Sequence, residues 1–179
     1  VDSGVVELIE WPYEHTCGRE WGKIQCDAYQ DAIEKAKYQT KWLVIVDTDE
    51  FIVPSKQNTL TQLIESQEKS DKEHKYAGYK IQWVVFGTSG VERVPPDKLM
   101  IELLTKNSGV HKHVKTIVRP EYARKKVTPH LVDLLHHKKT KAIKPKVAVI
   151  NHYMYRDRHF LLTVKIPRRE KIGYDEETV

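Results

Sequence analysis

Trp42-Leu43-Val44-Ile45-Val46-Asp47-Thr48-Asp49-Glu50-Phe51-Ile52-Val53-Pro54 is the stretch whose reading decides the fold. Leu43, Val44, Ile45 and Val46 offer water no polar face, so the run predicts a strand buried on both faces, as in parallel sheets. It ends in the carboxylates of Asp47, Asp49 and Glu50, where a buried strand would leave the core. Acids so close together repel one another unless a positive charge sits among them. A hard divalent cation, Mn²⁺ or Mg²⁺, answers that need, because it prefers oxygen ligands and can share them with a nucleotide diphosphate. Asp47 and Asp49, two apart, would face the same side of a continuing strand. The plainer reading of an isolated Asp-x-Asp is a solvated strand end. The apolar run before it and Glu50-Phe51-Ile52-Val53-Pro54 after it weigh against that reading.

A length of 179 residues predicts one domain over 1–179 with a real core, and 40% hydrophobic content suits a soluble globular protein. No window approaches the run of about 18 apolar residues that a membrane span needs. The opening Val1-Asp2-Ser3-Gly4 has neither an initiator methionine nor a leader pattern, so the expectation is a sequence that lacks its true N-terminus. Cys17 and Cys26, the 2 cysteines, make neither a zinc site nor a disulfide scaffold. They point to a reducing compartment, a cytoplasmic or membrane-peripheral location. The net charge of +5 suits anionic partners, among them nucleotide phosphates, nucleic acid and membrane headgroups, and does not choose between them.

Upstream of the acids, residues 5–11 predict a strand closed by Pro12, and residues 11–21 a loop. Ile24, Ala28, Ala32, Ile33 and Ala36 recur at helical spacing and predict a helix over 23–38. Strand, helix and apolar strand make a βαβ unit, which implies a parallel sheet with ligands at the carboxyl ends of its strands.

Downstream, Thr59 can cap a helix through Leu60, Leu63 and Ile64 that gives way to a charged surface turn over 65–75. Residues 77–86 predict a strand. Gly87-Thr88-Ser89-Gly90 after it suits either close approach to a ligand or a plain tight turn. Asp97, after two prolines, offers an N-cap for a short helix over 99–104. Residues 111–120 alternate basic and apolar side chains, which fits a strand with a wet positive face or an edge strand guarded by lysine. Residues 127–130 should be extended because of Pro129. A second buried strand over 146–153 ends in Asn151-His152-Tyr153. His152 there is a candidate third metal ligand beside Asp47 and Asp49, although a lone histidine is more often merely hydrogen-bonded. Trp83 and Trp11 suit stacking on a sugar or base, but core packing is the commoner use of strand aromatics and is the expectation for both.

In this order, Trp42…Asp47-Thr48-Asp49-Glu50-Phe51-Ile52-x-Pro54, Phe86-Gly87-x-Ser89-Gly90, Lys115-x-Ile117-Val118-Arg119-Pro120, Pro129-His130 and Asn151-His152-Tyr153 followed by Phe160, Lys165 and Arg168 resemble the family 92 glycosyltransferases, within the wider set of family 2-like GT-A enzymes with a DxD motif. Gln25 and its helix match the segment before the acidic motif. The resemblance implies an α/β, GT-A-like fold, Rossmann-like, with a mixed, mainly parallel central sheet flanked by helices. It implies transfer of a sugar from a nucleotide-diphosphate donor, UDP-linked, to a glycan or other hydroxyl acceptor, with Mn²⁺ or Mg²⁺ bridging the diphosphate. Carried over, Asp47 and Asp49 fall on the acidic motif, whose last acid binds the metal and whose first contacts the ribose or the metal through water. His152 is the third ligand and His130 its rival. Asp47, Thr48, Lys115, Lys165 and Arg168 fall on the nucleotide and diphosphate side, and Trp83, Gly87, Ser89 and Gly90 on the acceptor side. Glu92 and Asp97, beside Asp49, are positional candidates for the catalytic base that an inverting transfer needs. The family's domain begins with strands that build the uracil pocket, and this sequence starts after most of them. The serine usual before the Phe-x4-Lys segment is also replaced.

Two other classes share some of these features. A metal-dependent phosphodiesterase or nuclease would use paired acids and a histidine, but would place more acids near the metal. A non-enzymatic nucleic-acid-binding module would rest on the 30 Lys and Arg residues, and its affinity would depend steeply on salt. The transferase reading expects a sugar donor, a glycan acceptor and no nucleic acid.

Overall fold

A computed structural model describes residues 6–11, 18–135 and 137–171 of the chain. Cys17, Pro12 and part of the expected loop over 11–21 lie outside them. Residues 6–11, expected in a strand, have no strand structure and are exposed, and Trp11, expected in the core, is 37% exposed. The first helix, α1 (Gly18–Ala36), starts earlier than its apolar spacing indicated and buries Ile33 and Ala36. No helix of the described residues is long and apolar enough to cross a membrane.

The decisive stretch forms β1 (Leu43–Val44), a turn, and β2 (Glu50–Pro54). Next come α2 (Leu60–Ser70), β3 (Tyr76–Phe86), α3 (Met100–Leu103) and β4 (Asn107–Val118). A 3-10 turn, Pro120–Tyr122, leads into β5 (Ala123–Val127) and β6 (Val132–Leu134), a separate two-stranded ribbon. The chain ends with β7 (Lys139–Ala142), β8 (Ala148–His152), α4 (Arg158–Phe160), a π turn over Leu161–Lys165 and α5 (Ile166–Lys171).

The six-stranded sheet has the order β1-β4-β3-β8-β2, with β7 beside β3. β3 runs parallel to β7 and β8, whereas β1–β4, β3–β4 and β2–β8 are antiparallel. The sheet is therefore mixed and mostly antiparallel, which corrects the mainly parallel expectation. The βαβ unit fails because residues 6–11 do not pair and α1 delivers the chain to a two-residue strand at the sheet edge. The central strand is β3.

The apolar run at 43–46 still has two covered sides, for a different reason. Leu43 and Ile45 join a cluster with Ile33 and Tyr29 of α1 and the β5–β6 ribbon, while Trp42 and Val44 pack against the α2 cluster. Helical and ribbon layers, not parallel neighbours, make the run apolar throughout. Val46 is already 39% exposed as the chain turns away.

Thr59 caps α2 as expected, its hydroxyl accepting from Gln62 N at 3.2 Å, and α2 continues through the stretch read as a charged turn to Ser70. Asp97 does not cap α3. It lies exposed in a turn closed by Lys98 N donating to Pro95 O, and Leu99 occupies the cap position, its N–H donating to Glu102 Oε2. β3 pairs along nearly the whole of β4, but β1 covers only Ile117 and Val118, so β4 is an edge over most of its length, as the lysine-guarded reading allowed.

The α2-facing side of the sheet explains where the site sits. Side chains on one side of a strand recur every second residue, so Tyr79, Ile81, Trp83 and Val85 of β3 share this face and its core cluster. Register adds Ile117 opposite Tyr79, Lys115 opposite Ile81, Ile150 opposite Trp83, and His152 opposite Val85. β2 adds Ile52 opposite Ile150 and Glu50 opposite His152. The core's own face thus ends in Lys115, His152 and Glu50.

Candidate active site

Asp47 leaves β1 into a turn closed by Glu50 N–H donating to Asp47 O at 3.1 Å. Asp47 and Asp49 are therefore turn residues, not alternate positions of a continuing strand. Glu50 starts β2 with its side chain fully buried. Its Oε2 accepts from Asp47 N at 3.0 Å and lies 3.4 Å from Lys115 Nζ. Lys115, only 2% exposed, donates to Asp47 Oδ2 at 2.9 Å. The cation that close acids require is thus supplied by the protein itself, for two of the three. Its ammonium, read from the sequence as a candidate for holding phosphate oxygens, is engaged with these two acids. Burial pushes the Glu50 carboxyl up from its ordinary value, against the pull of Asp47 N–H and Lys115.

Asp47 has donors on both oxygens. Tyr29 Oη donates to its Oδ1 at 3.0 Å, and Gln25 Nε2 donates to Tyr29 Oη at 2.6 Å and approaches Oδ1 at 3.4 Å. Burial and the Asp47 charge push the Tyr29 hydroxyl well above its ordinary range, which keeps it a donor.

Asp49 has a different neighbour. His152 Nε2 lies 3.6 Å from Asp49 Oδ1, and His152 Nδ1 lies 3.8 Å from Glu50 Oε1. Both separations exceed hydrogen-bond length, and the buried His152 Nδ1 and Glu50 Oε1 have no partner. His152 holds the Asp49 carboxyl below its ordinary value. The ring of His152 meets Trp83 edge-on at 4.3 Å. Trp83, 7% exposed and in the core cluster, also stacks on His113 at 5.2 Å and meets His130 at 5.1 Å. His130 spends Nδ1–H on Val114 O at 3.1 Å. His111 and His113 stack with their Nδ1 atoms 2.8 Å apart. Trp83 thus meets three histidines, His113, His130 and His152, of which His152 abuts the acidic turn, and His111 joins them only through His113.

No group of three or more His, Cys, Asp or Glu side chains among the described residues could hold a metal ion. What the turn offers is the facing pair Asp49 Oδ1 and His152 Nε2. Their 3.6 Å separation is wider than the roughly 3 Å between adjacent ligands in an octahedral shell of 2.0–2.1 Å bonds, so the two side chains would have to draw together on an ion. Two protein ligands could hold a divalent ion only with other groups completing its shell, and do not make an all-protein cage.

Lys165 ends the π turn. Burial lowers its ammonium from its ordinary value, helped by Arg169 and Arg168 and opposed by the charges of Asp49 and Asp47, which puts it within electrostatic reach of the acids. Arg168 is exposed on α5, and Thr48 is exposed at the tip of the acidic turn. Glu92 is exposed and paired with Arg158 at 3.6 Å. The loop at 87–90 is tied to the segment before β4: Gly87 N donates to Lys106 O at 3.0 Å, and Ser89 Oγ accepts from Lys106 N at 2.9 Å. Gly90 takes φ +81°, which favours glycine in this turn. The structure brings together Asp47, Asp49, Glu50, Lys115 and His152, with Trp83 behind them.

Tyr29, His111 and His113 are the neighbours that sequence reasoning missed. The four-residue spacing of Gln25 and Tyr29 on one helix face was the available signal for Tyr29.

A sequence model of glycosyltransferase family 92 matches residues 1–178. A glycosyltransferase family 92 protein of Ricinus communis is 27% identical over 181 residues, covering 86% of this chain and 28% of that protein. Another, of Arabidopsis thaliana, is 26% identical over 182 residues, covering 86% and 29%. The chain therefore spans less than a third of the length of either relative. The family match takes in the acidic turn, the buried lysine of β4 and the histidine that ends β8: the chain belongs to glycosyltransferase family 92.

Proposed function

We propose that this chain carries the donor site of a metal-dependent glycosyltransferase that moves a sugar from a nucleotide-diphosphate donor, UDP-linked, to a hydroxyl of a glycan or similar acceptor. The single observation that carries the reading is the approach of Asp49 to His152 at 3.6 Å in a turn whose other two acids share the Lys115 ammonium. That arrangement leaves one carboxylate and one imidazole for an ion, and the family supplies the reaction class.

Asp49 and His152 would hold Mn²⁺ or Mg²⁺, which when bound offsets the charge that develops on the departing diphosphate. Lys165, close enough to feel Asp49 and Asp47, adds a cation on the same side. Its partly buried ammonium acts where water screens it less. Lys115 lies between Asp47 at 2.9 Å and Glu50 at 3.4 Å and so ties the two ends of the turn together. Glu50 faces His152 Nδ1, which favours a proton on that nitrogen and leaves Nε2 turned to Asp49. Glu92 and Asp97 are both exposed and open to an acceptor as proton-taking candidates.

A two-metal phosphodiesterase would need more ligands than this turn offers. Calorimetric titration of UDP tests the reading. Binding is expected with Mn²⁺ and absent with EDTA, and Asp49→Ala should weaken the Mn²⁺-supported binding by about 10- to 100-fold. No heat in either condition would sink the proposal.

A further inference from the structure

Asp47 differs from Asp49 in having donors from its own protein on both oxygens. Oδ2 accepts from Lys115 Nζ at 2.9 Å, and Oδ1 accepts from Tyr29 Oη at 3.0 Å with Gln25 Nε2 at 3.4 Å. A carboxylate has about four lone-pair sites in total, so little more than one remains, on a side chain that is 37% exposed. A divalent ion on Asp47 would sit within a few ångströms of the Lys115 ammonium, a like-charge contact in a partly buried site. A hydroxyl donor meets no such repulsion.

We infer that Tyr29 and Gln25 are positioning residues for nucleotide recognition: they hold Asp47 off the metal and aim its free lone pair at a hydroxyl of the donor's nucleoside. The inference rests on the donor-site reading above, with the first acid of the turn on the nucleoside side, and what it adds is the pair of α1 residues that sets that acid. Asp49 and His152 serve the ion, and Asp47, set by helix α1, serves the nucleoside. The geometry suits this, because Gln25 and Tyr29 lie one helical turn apart and bond each other at 2.6 Å. Gln25 thereby fixes the hydroxyl that fixes Asp47. Tyr29 also packs by its ring against the cluster around Ile33, which anchors the relay to the core.

The test compares two ligands on the full chain in Mn²⁺: UDP, which carries ribose hydroxyls, and inorganic pyrophosphate, which carries none. Tyr29→Phe keeps the ring and removes the hydroxyl. It should weaken UDP binding about tenfold, the loss of one hydrogen bond to a charged group, and leave pyrophosphate binding within about twofold. Gln25→Leu should move both in the same directions by a smaller factor, and covers the case in which the tyrosine variant folds poorly. Equal losses for UDP and pyrophosphate would overturn the inference, because the relay would then act through the ion or the phosphates. So would unchanged UDP binding in both variants. If the unaltered chain binds neither ligand in Mn²⁺, the donor-site reading itself fails, and the inference falls with it.

Discussion

Lys115 sets the charge balance of the acidic turn. Its ammonium lies between Asp47 at 2.9 Å and Glu50 at 3.4 Å, and both Lys115 and Glu50 are shut away from water. Removing one partner of such a buried set leaves an uncompensated charge, which costs about 3–5 kcal/mol, far more than the pair itself is worth. Lys115→Met should therefore destabilise the chain by about that amount in urea denaturation. Lys115→Met with Glu50→Gln should recover part of the loss, because the buried Glu50 charge is gone as well. If the double variant is as unstable as the sum of the two singles, the lysine and the glutamate are not energetically coupled. The same residue shows what the sequence could say. Lys115 stood out as a basic position in an alternating strand, but spacing alone gives a wet face, and only the register against Ile81 puts it in the core. That Asp49 and His152 could come together was legible because the motif order carries both, and the fold brings them to 3.6 Å. The Tyr29 bond to Asp47 and the hub role of Trp83 were not, since each joins residues of different elements.

Among the elements, those with a strong local signal match their expected positions. Thr59 begins α2, and β3 and β8 fall within a residue or two of where their apolar runs put them. What failed was strand direction: a run buried on both sides has the same composition whether its cover is a parallel neighbour or two packed layers, as at 43–46. The helical segment from α4 to α5 has a local cause of its own. Pro167 lacks an N–H and its ring crowds the carbonyl four residues back, that of Thr163. The preceding turn widens, with Ile166 N–H donating to Leu161 O, five residues back. Lys165 is the last residue of that widened turn. Pro167→Ala removes the reason for the widening. Returning the turn to α geometry would shift the register by one residue, about 100° around the helix axis, and swing Lys165 relative to Asp49. The expected result is unchanged or higher thermal stability together with UDP binding weakened about threefold, a fraction of one charged hydrogen bond. Equal UDP affinity in the variant would remove Lys165 from the donor site.

At the scale of the whole molecule, the histidines around Trp83 tie folding to pH. Burial lowers the His113 imidazole below its ordinary value, and the neighbouring His111, His130, Lys112 and His152 push it the same way. Burial also lowers His130, with Lys115 and His152 adding to it, while the Val114 carbonyl and Asp47 oppose it. The unfolded chain therefore binds protons at these two positions at a higher pH than the folded chain does. Stability from them is complete above about pH 6.5, the ordinary histidine value. It falls as pH drops toward the lowered folded values, where protonation must be forced into the stacked cluster. Glu50 runs the other way: its carboxyl is raised by burial, so stability is lost as pH rises from about 4.5 toward its folded value. The two effects overlap, so the raw pH profile does not isolate the histidines, but a comparison of variants does. The midpoint of urea unfolding should fall from pH 8 to pH 5.5 more steeply in the unaltered chain than in the His113→Gln, His130→Gln variant, whose glutamines do not titrate. The variant starts from a lower stability at pH 8, having lost the His130 bond to Val114 O and the stack on Trp83. Its slope is the diagnostic quantity. Equal slopes in the two proteins would place the pH sensitivity outside this cluster.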